Sequence, residues 1–301
     1  MGILEGGRPV IRVHPEVAAA LAERRPVVAL ESTLIAHGLP SPLNLQVARE
    51  AELAVRAEGA VPATVAVVAG APAIGLSPDE LEKLATRPGV RKAGRRDLAV
   101  AVARGEWAAT TVSATMLLAH RAGIRVFATG GIGGVHPGSP ADVSADLPEL
   151  GRTPVAVVCA GAKSILDLPA TLEMLETLGV PVVGYGTEEF PAFYTRSSGL
   201  RLAAHVGTPE EAAALMQAHW RFGGAGVVLA LPITEEQSIP AEELASAMTE
   251  AEKECPPGPA RTPWLLSRLA ELTGGRTLTA NRSLVLANAA LAARIAAKLE
   301  G

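Results

Sequence analysis

Short, continuously apolar segments alternate with helix-like segments along most of this chain. Candidate strands lie at 26–30, 64–70, 124–130, 154–161, 180–186 and 224–232. An unbroken apolar run is typical of a parallel strand that is covered on both faces. The intervening segments, for example those over roughly 169–178 and 208–221, carry apolar residues at helical spacing. The alternation therefore predicts an α/β chain, a three-layer α/β/α arrangement with a largely parallel central sheet.

The end of the chain follows a different pattern. The Pro-rich segment 255–263 interrupts a helix, and two further helical stretches continue to the end with no strand between them. We therefore expect a single domain over 1–301 in which 240–301 forms a helical C-terminal section. Local signals support the helix assignments, since Ser77 and Glu80 have capping-box spacing. Gly59, Gly123 and Gly179 stand where three helices are predicted to end.

Composition argues against several classes of protein. A net charge of −4 and an aromatic fraction of 3% do not favour a nucleic-acid surface. The longest apolar runs, of about 8 residues, are well short of the ~20 that a membrane helix needs. The two cysteines, Cys159 and Cys255, have neither metal-ligand nor disulfide-framework spacing. The N-terminal sequence MGILEGGRPVIRV lacks a signal-like apolar segment, so a reducing cytoplasm is expected.

Polar residues follow three of the predicted strands at the point where each strand ends. Glu31 follows the first, a glycine-rich loop with His136 follows the third, and Lys163 follows the fourth. Ligands of parallel sheets bind beyond the carboxyl ends of the strands. The sequence therefore predicts a site at one edge of the sheet that combines a carboxylate, a glycine loop and an amine.

Lysine is scarce in this chain, because only five of the 27 lysine and arginine residues are lysines. An arginine cannot deprotonate in a protein, whereas a lysine can form a Schiff base. Next to an apolar strand, Lys163 is expected to be partly desolvated, which lowers the pKa of an amine. A structural, salt-bridged lysine is the alternative. Glu31 has two similar interpretations, a general acid with a raised pKa or a carboxylate that caps nearby amides.

A second group of carboxylates follows the glycine loop. Asp142, Ser144 and Asp146 alternate in sequence, which predicts that they lie on one side of an extended segment. Carboxylates together with water suit Mg²⁺ or Mn²⁺, and the sequence does not choose between them. A polar loop, or the N-cap of a helix beginning near Leu147, remains the alternative.

Two further segments have features of a phosphate site. Lys92 lies among three arginines and a glycine in 91–97, a pattern that fits a phosphate or an ordinary solvated turn. Residues 110–113 open a predicted helix, whose free amides attract anions. The loop 129–138 is not a dinucleotide fingerprint, although its backbone has the composition of an anion nest or a tight connection.

Several long motifs closely resemble the pseudouridine-5'-phosphate glycosidase family. They are ALESTLIAHGLP (29–40), ATTVSATM (109–116), FATGGIGGVHPG (127–138), DVSADL (142–147) and VCAGAKSILDLPATLEMLETLGVPVVGY (158–185). The resemblance extends from about Val13 to Ala297. It implies an α/β/α homotrimer that reversibly splits pseudouridine 5'-phosphate into uracil and ribose 5-phosphate, with one divalent ion per subunit, typically Mn²⁺.

The resemblance also assigns roles to individual residues. It implies that Lys163 forms a Schiff base with the opened ribose, that Glu31 is the proton donor and that Asp142 holds the metal. The implied substrate contacts are Lys92, Thr111, Val112, Thr129, His136, Ser144, Ala145, Asp146 and Asn288.

The chain departs from the family pattern at two places, with Leu231 before Pro232 and Ala287 before Asn288. Both departures are expected at the rim of the pocket, where they would affect the rate or the base preference. They leave open a non-catalytic protein that binds nucleotide phosphates on the same scaffold. A sugar kinase is disfavoured because the chain has no P-loop.

Overall fold

Strands and helices alternate through most of the chain, which the computed structural model describes at residues 4–5, 8–9, 11–256 and 261–299. The N-terminal sequence MGILEGGRPVIRV, on which the cytoplasmic expectation rests, lies partly outside this range, at residues 1–3, 6–7 and 10. The strands are β1 (Leu4–Glu5), β2 (Arg8–Pro9), β3 (Arg12–Val13), β4 (Val27–Leu30), β5 (Val61–Val68), β6 (Ala71–Ile74), β7 (Arg91–Ala93), β8 (Ala108–Thr110), β9 (Val126–Ala128), β10 (Val135–His136), β11 (Ser139–Val143), β12 (Ala156–Cys159), β13 (Val182–Tyr185), β14 (Ala204–Val206) and β15 (Val227–Ala230).

The α-helices cover much of the remaining chain. They are α1 (Pro15–Ala22), α2 (Leu43–Ala57), α3 (Pro78–Thr86), α4 (Leu98–Ala103), α5 (Val112–Arg121), α6 (Asp146–Leu150), α7 (Leu168–Thr177), α8 (Pro209–Arg221), α9 (Ala241–Glu252), α10 (Arg261–Leu272) and α11 (Arg276–Leu299). A π-helical turn spans Leu34–Gly38, and short 3₁₀ turns span Arg95–Asp97 and Glu235–Gln237.

The six predicted apolar strands form the central part of one parallel sheet. Its order is β14-β13-β15-β12-β9-β4-β5, and every neighbouring pair in this stretch is parallel. Val28 of β4 is aligned with Val126 of β9, and Leu30 is aligned with Thr64 of β5. The α/β prediction is therefore confirmed, and β4, β9 and β12 lie side by side at the centre of the sheet.

Strand β5 also joins a second, mixed group of strands, in which β3 pairs parallel with β6 and β7 pairs parallel with β8. Its second half pairs antiparallel with β6 on one side and β8 on the other, and β7 and β3 complete the group. Ala69 and Gly70 form the tight β5–β6 turn, both with positive φ, 47° and 82°. The sequence pattern does not predict this hairpin, because alanine, at position 69, is not a typical turn residue.

Helices cover both faces of the sheet. Successive apolar side chains of each strand point to opposite faces, so both faces have to be covered. Ala29, Phe127 and Val157 face one hydrophobic core, which includes residues of α1, α5 and α7. Val28, Val126 and Val158 face the other, which includes residues of α2, α8 and α11. All six side chains are almost completely excluded from solvent. Each buried valine or larger side chain contributes about 1.5–3 kcal/mol, so both faces stabilise the sheet.

Local helix signals are confirmed where they were strongest. Ser77 and Glu80 form the reciprocal capping box at the start of α3. Gly59, Gly123 and Gly179 follow α2, α5 and α7 with φ of 81°, 90° and 69°. Only glycine adopts this conformation without strain, which explains why the helices end there.

The C-terminal section is helical, as predicted, but α10 begins at Arg261, inside the predicted interruption 255–263. Residues 257–260 of that interruption lie outside the described range. The long helix α11 packs against β4, β9 and β12 and against α2 and α8. The helical section thereby reaches the sheet edge at which polar residues converge. None of the helices that the structure describes has the length and apolarity to cross a bilayer.

Candidate active site

The predicted convergence of three strand ends is present at the carboxyl edge of β4, β9 and β12. Glu31, Thr129 and Lys163 follow these strands and line one pocket, together with Lys92 from β7. They meet because β4, β9 and β12 are immediate neighbours in the sheet. Parallel strands place all their carboxyl ends on one edge, so three distant segments supply one site.

Glu31 is a carboxylic acid in a poorly solvated position. Burial raises the pKa of Glu31, and the nearby charge of Asp146 acts in the same direction. The ammonium of Lys163 and a hydrogen bond donated by the Thr129 hydroxyl oppose this shift without reversing it. Glu31 therefore keeps its proton to a higher pH than an exposed glutamic acid, as a general acid requires.

Lys163 is half-buried and is held in place through its backbone. Its amide donates to the carbonyl of Ile132 at 3.1 Å, and its own carbonyl accepts from Leu166 at 3.0 Å. The preceding Gly161 has φ of 83°, and a Cβ there would lie 2.4 Å from the carbonyl oxygen of Pro191. The loop after β12 thus requires glycine at this position in order to present Lys163.

Lys92 is the only one of the four neighbouring cations that lines this pocket in the described part of the chain. Arg91 pairs with Glu106, while Arg95 forms two bonds to the buried carboxylate of Glu149, at 2.7 and 2.8 Å. Arg96 has 89% of its side chain exposed. Burial and the neighbouring Lys163 lower the pKa of Lys92. The arginines of this segment are therefore structural or solvated, and Lys92 alone is available to a phosphate in the pocket.

The segment Asp142–Asp146 differs from its predicted geometry. It is not one extended segment, because β11 ends at Val143 and α6 begins at Asp146. Asp142 is exposed, whereas Asp146 is buried, so the prediction that the two carboxylates share one side is wrong. The alternative of a helix start was closer, since Asp146 occupies the first position of a helix.

Asp146 connects the glycine loop to the start of α5 through two hydrogen bonds. One carboxylate oxygen accepts from the Ser113 amide at 3.0 Å, and the other accepts from the Gly133 amide at 2.9 Å. A Cβ on Gly133 would lie 2.2 Å from the Ser144 hydroxyl and 2.8 Å from Asp146. The amides of Ser113 and Gly133 lie in segments that were predicted to bind an anion. Both amides are instead hydrogen-bonded to Asp146.

The remaining predicted contacts do not line the pocket in the described structure. Thr111 and Val112 are the N-cap and first residue of α5, His136 ends β10, and Ala145 lies between β11 and α6. Asn288 is fully buried, and its side-chain amide donates to the carbonyl of Thr129 at 2.7 Å. Asn288 thus fixes the strand end that carries Thr129, and direct substrate contact by these residues stays a prediction.

Sequence analysis missed several residues that do line the pocket. They are Thr33, His37, Phe193, Thr262, Leu266 and Asn281. Asn281 precedes Asn288 by seven residues, two turns of α11, so helical spacing could have placed both on one face. Phe193 has φ of 63°, an uncommon conformation for a bulky residue, and a Cβ on Gly131 would lie 2.6 Å from its ring. No local pattern marks Phe193, because its position depends on tertiary packing.

Metal ligands are sparse around Asp142. Within the described residues, no group of three or more His, Cys, Asp or Glu side chains is arranged to hold a metal ion. A single exposed carboxylate suits only an ion that keeps most of its water ligands. Asp142 therefore fits a hydrated Mg²⁺ or Mn²⁺ ion and does not fit a closed structural metal site.

The chain is similar to known proteins over nearly its whole length. The family model of indigoidine synthase A-like proteins matches residues 16–298. A curated protein of Methylobacterium nodulans, named pseudouridine-5'-phosphate glycosidase, is 56% identical over 97% of this chain and 89% of its own length. A protein of the same name from Solibacter usitatus is 53% identical over 96% of this chain and 99% of its own.

Two solved structures share the whole architecture. The prealnumycin C-glycosynthase AlnA, in complex with ribulose 5-phosphate, superposes with a TM-score of 0.90 at 41% identity, over 97% of each chain. An indigoidine synthase A-like protein of Thermotoga maritima gives a TM-score of 0.90 at 40% identity, again over 97% of each chain. The likeness spans nearly the full length of every protein compared.

Proposed function

The chain belongs to the indigoidine synthase A-like protein family, and we propose that it is a pseudouridine-5'-phosphate glycosidase. It reversibly cleaves the C–C glycosidic bond to give uracil and ribose 5-phosphate. The observation that carries this proposal is the meeting of Glu31 and Lys163 in one pocket, on neighbouring strand ends. Homologues named for this activity, at 52–56% identity, support the substrate. AlnA, named as a C-glycosynthase, supports the direction of bond formation.

The chemistry of a C-glycoside explains why the site holds an amine. The leaving group is a carbon, so the usual pair of glycosidase carboxylates is poorly suited to the bond. In our proposal the Lys163 amine adds to the anomeric carbon while Glu31 protonates the ring oxygen. The added nitrogen returns one proton to the Glu31 carboxylate, its lone pair forms a C=N bond as the C–C bond breaks, and uracil keeps the bonding pair and takes that proton from Glu31 at C5. Water hydrolyses the imine and releases ribose 5-phosphate.

Lys92 is suited to the 5'-phosphate of the substrate. Among the described cations of segment 91–97 it is the one that lines the pocket, and a phosphate near it would offset both the burial and the Lys163 charge that lower the pKa of Lys92. Binding of the phosphate orients the ribose toward Lys163. The binding energy of a group remote from the reacting bond thereby helps to position the reacting atoms.

A divalent ion, Mn²⁺ in our proposal, would be held by Asp142 and water. Such an ion supplies positive charge to a bound phosphate, and no step of the proposed reaction passes through it. We further propose a homotrimer that acts in the cytoplasm, as the family resemblance implies. Chelation followed by readdition of Mn²⁺, and light scattering of the purified protein, test the metal and the subunit number directly.

An ultraviolet assay tests the reaction itself. Pseudouridine 5'-phosphate should yield uracil while uridine 5'-phosphate, an N-glycoside, serves as the comparison substrate, each with and without Mn²⁺. Borohydride added with ribose 5-phosphate should attach the sugar to Lys163, as mass spectrometry of peptides would show. Undiminished turnover by Lys163→Ala would refute the Schiff-base mechanism. Tight binding without any uracil release would favour the non-catalytic alternative.

A further inference from the structure

Glu31 lines both the active-site pocket and a second, smaller cavity, as do Leu34 and Thr129. The smaller cavity has a volume of about 20 Å³, and its polar lining comes from Glu31, Thr64 and Thr129. Its remaining walls are apolar, among them Leu30 and Val285. A buried water needs roughly 10–15 Å³ and two to four polar partners, so the cavity suits one water molecule beside the Glu31 carboxyl group.

The far wall of this cavity connects to a second carboxyl group. Thr64 on β5 is 2% exposed and is aligned with Leu30, the residue before Glu31. The Thr64 hydroxyl donates a hydrogen bond of 2.6 Å to the carboxylate of Glu52 on α2. Glu52 is partly exposed to solvent. Glu52, Thr64 and the cavity therefore form a polar route from the outer surface of α2 to the back of Glu31.

Glu52 has the properties of a group that exchanges protons. Burial raises the pKa of Glu52, which the Thr64 hydrogen bond and the charges of Arg56 and His14 only partly offset, while Glu16 adds to the rise. Arg56 is engaged in a two-bond pair with Glu16 and leaves Glu52 without an ion pair among the described residues. The Thr64 hydrogen bond connects α2 to β5, and the proposed chemistry gives no role to the partly exposed Glu52 carboxyl group.

We propose that Glu52 and Thr64 form a proton relay that recharges Glu31 while substrate occupies the pocket. In this relay the Thr64 hydroxyl hydrogen first rotates away from Glu52 toward the cavity water. The Glu52 carboxyl group then passes its proton to the Thr64 oxygen as Thr64 passes its own proton to the water. The water protonates the Glu31 carboxylate, and Glu52 regains a proton from solvent. Each transfer breaks one O–H bond and forms another. The Lys163 ammonium that remains after imine hydrolysis loses one proton to solvent when the products leave, so that charge and atoms balance over a turnover.

The relay rests on the proposed function, in which Glu31 is consumed as an acid before the products leave. Once Glu31 has protonated uracil, it is a carboxylate facing a pocket filled by products, and proton exchange with bulk solvent from that side is slowed. Hydrolysis of the imine on Lys163 again benefits from an acid in the site. Recharging from behind allows this second step to proceed before uracil or the sugar phosphate departs.

Rapid-quench kinetics with pseudouridine 5'-phosphate tests the relay. In Thr64→Val and Glu52→Gln, the first uracil per subunit should form within about twofold of the wild-type rate. Later turnovers should be at least about tenfold slower, and the borohydride-trapped adduct on Lys163 should accumulate. Thr64→Ser, which keeps the hydroxyl, should restore wild-type turnover. Thr153→Val is the matched control, since Thr153 is also buried and donates to a glutamate, Glu149, away from the cavity.

The outcomes separate the relay from the function on which it rests. Equal slowing of the first and later turnovers in the valine and glutamine variants would overturn the relay, because a structural defect affects both phases. Unchanged turnover in both variants would overturn it as well. Absence of uracil release by the wild-type protein would instead refute the proposed function.

Discussion

Replacement of Asp146 by asparagine should destabilise the protein through two backbone amides. Asp146 is 5% exposed, and each of its oxygens accepts from one amide, that of Ser113 or that of Gly133. Asparagine keeps one acceptor and turns an NH₂ group toward the other amide. The change removes one charge-assisted hydrogen bond, worth about 1.5–3 kcal/mol, and leaves a buried N–H group without a partner, which costs about 1–3 kcal/mol.

A loss of about 2–4 kcal/mol in the free energy of unfolding is therefore expected, with some relaxation of the loop included. For a chain of this length, 1 kcal/mol corresponds to about 2 °C in Tm, so Asp146→Asn should melt roughly 4–8 °C below the wild-type protein. The KM for the nucleotide should also rise, because the same carboxylate joins the glycine loop to the start of α5.

Asp142→Asn is the matched control for this prediction. It makes the same chemical change four residues earlier in the chain, at an exposed position. Surface substitutions usually change stability by less than about 0.5 kcal/mol. Calorimetry of both variants in the presence of a chelator removes any contribution from a bound ion. Equal melting of Asp146→Asn and the wild-type protein, or equal destabilisation by both variants, would refute the argument.

Three further predictions concern the reacting groups and the glycine loop. Lys163→Arg should abolish uracil release, since arginine cannot form the imine, while Lys92→Arg should chiefly raise KM; equal losses of kcat would contradict this division. Burial raises the pKa of Glu31, so kcat should fall as pH rises through that raised value and the acid form is lost; a flat alkaline limb in a pH–rate profile would argue against Glu31 as the acid. Gly133→Ala should lower Tm by several degrees, because its Cβ would lie 2.2 Å from Ser144, whereas Gly207→Ala, whose Cβ would have its nearest neighbour at 3.7 Å, should melt like wild type.

The proposed catalytic pair could be predicted because its signals are local. Glu31 and Lys163 each follow a continuous apolar run, and the rule for parallel sheets requires only that such runs be neighbouring strands. The sequence does not state that β4, β9 and β12 are adjacent. Their adjacency makes the separate candidates one site, and it depends on the pairing of β4 with β9, whose aligned residues are nearly a hundred positions apart.

The segment Asp142–Asp146 shows where local reasoning fails. A period of two predicts a shared face only while the backbone stays extended, and here the chain turns into α6 at Asp146. Two backbone amides, one from the glycine loop and one from the start of α5, stabilise the buried carboxylate. No local sequence pattern predicts these two contacts. The arginines near Lys92 are a similar case, because their partners Glu106 and Glu149 are chosen by tertiary packing.

By itself, the sequence determined the alternation of strands and helices, the ends of most helices and the identity of the amine and the acid. These properties depend on hydrophobic period, capping residues and side-chain chemistry, which are encoded within a few neighbouring positions. Only the tertiary structure decided which polar groups face the pocket and which form hydrogen bonds or ion pairs within the protein. That division depends on distances between segments far apart in the chain, as the cavity joining Glu31 to Thr64 illustrates.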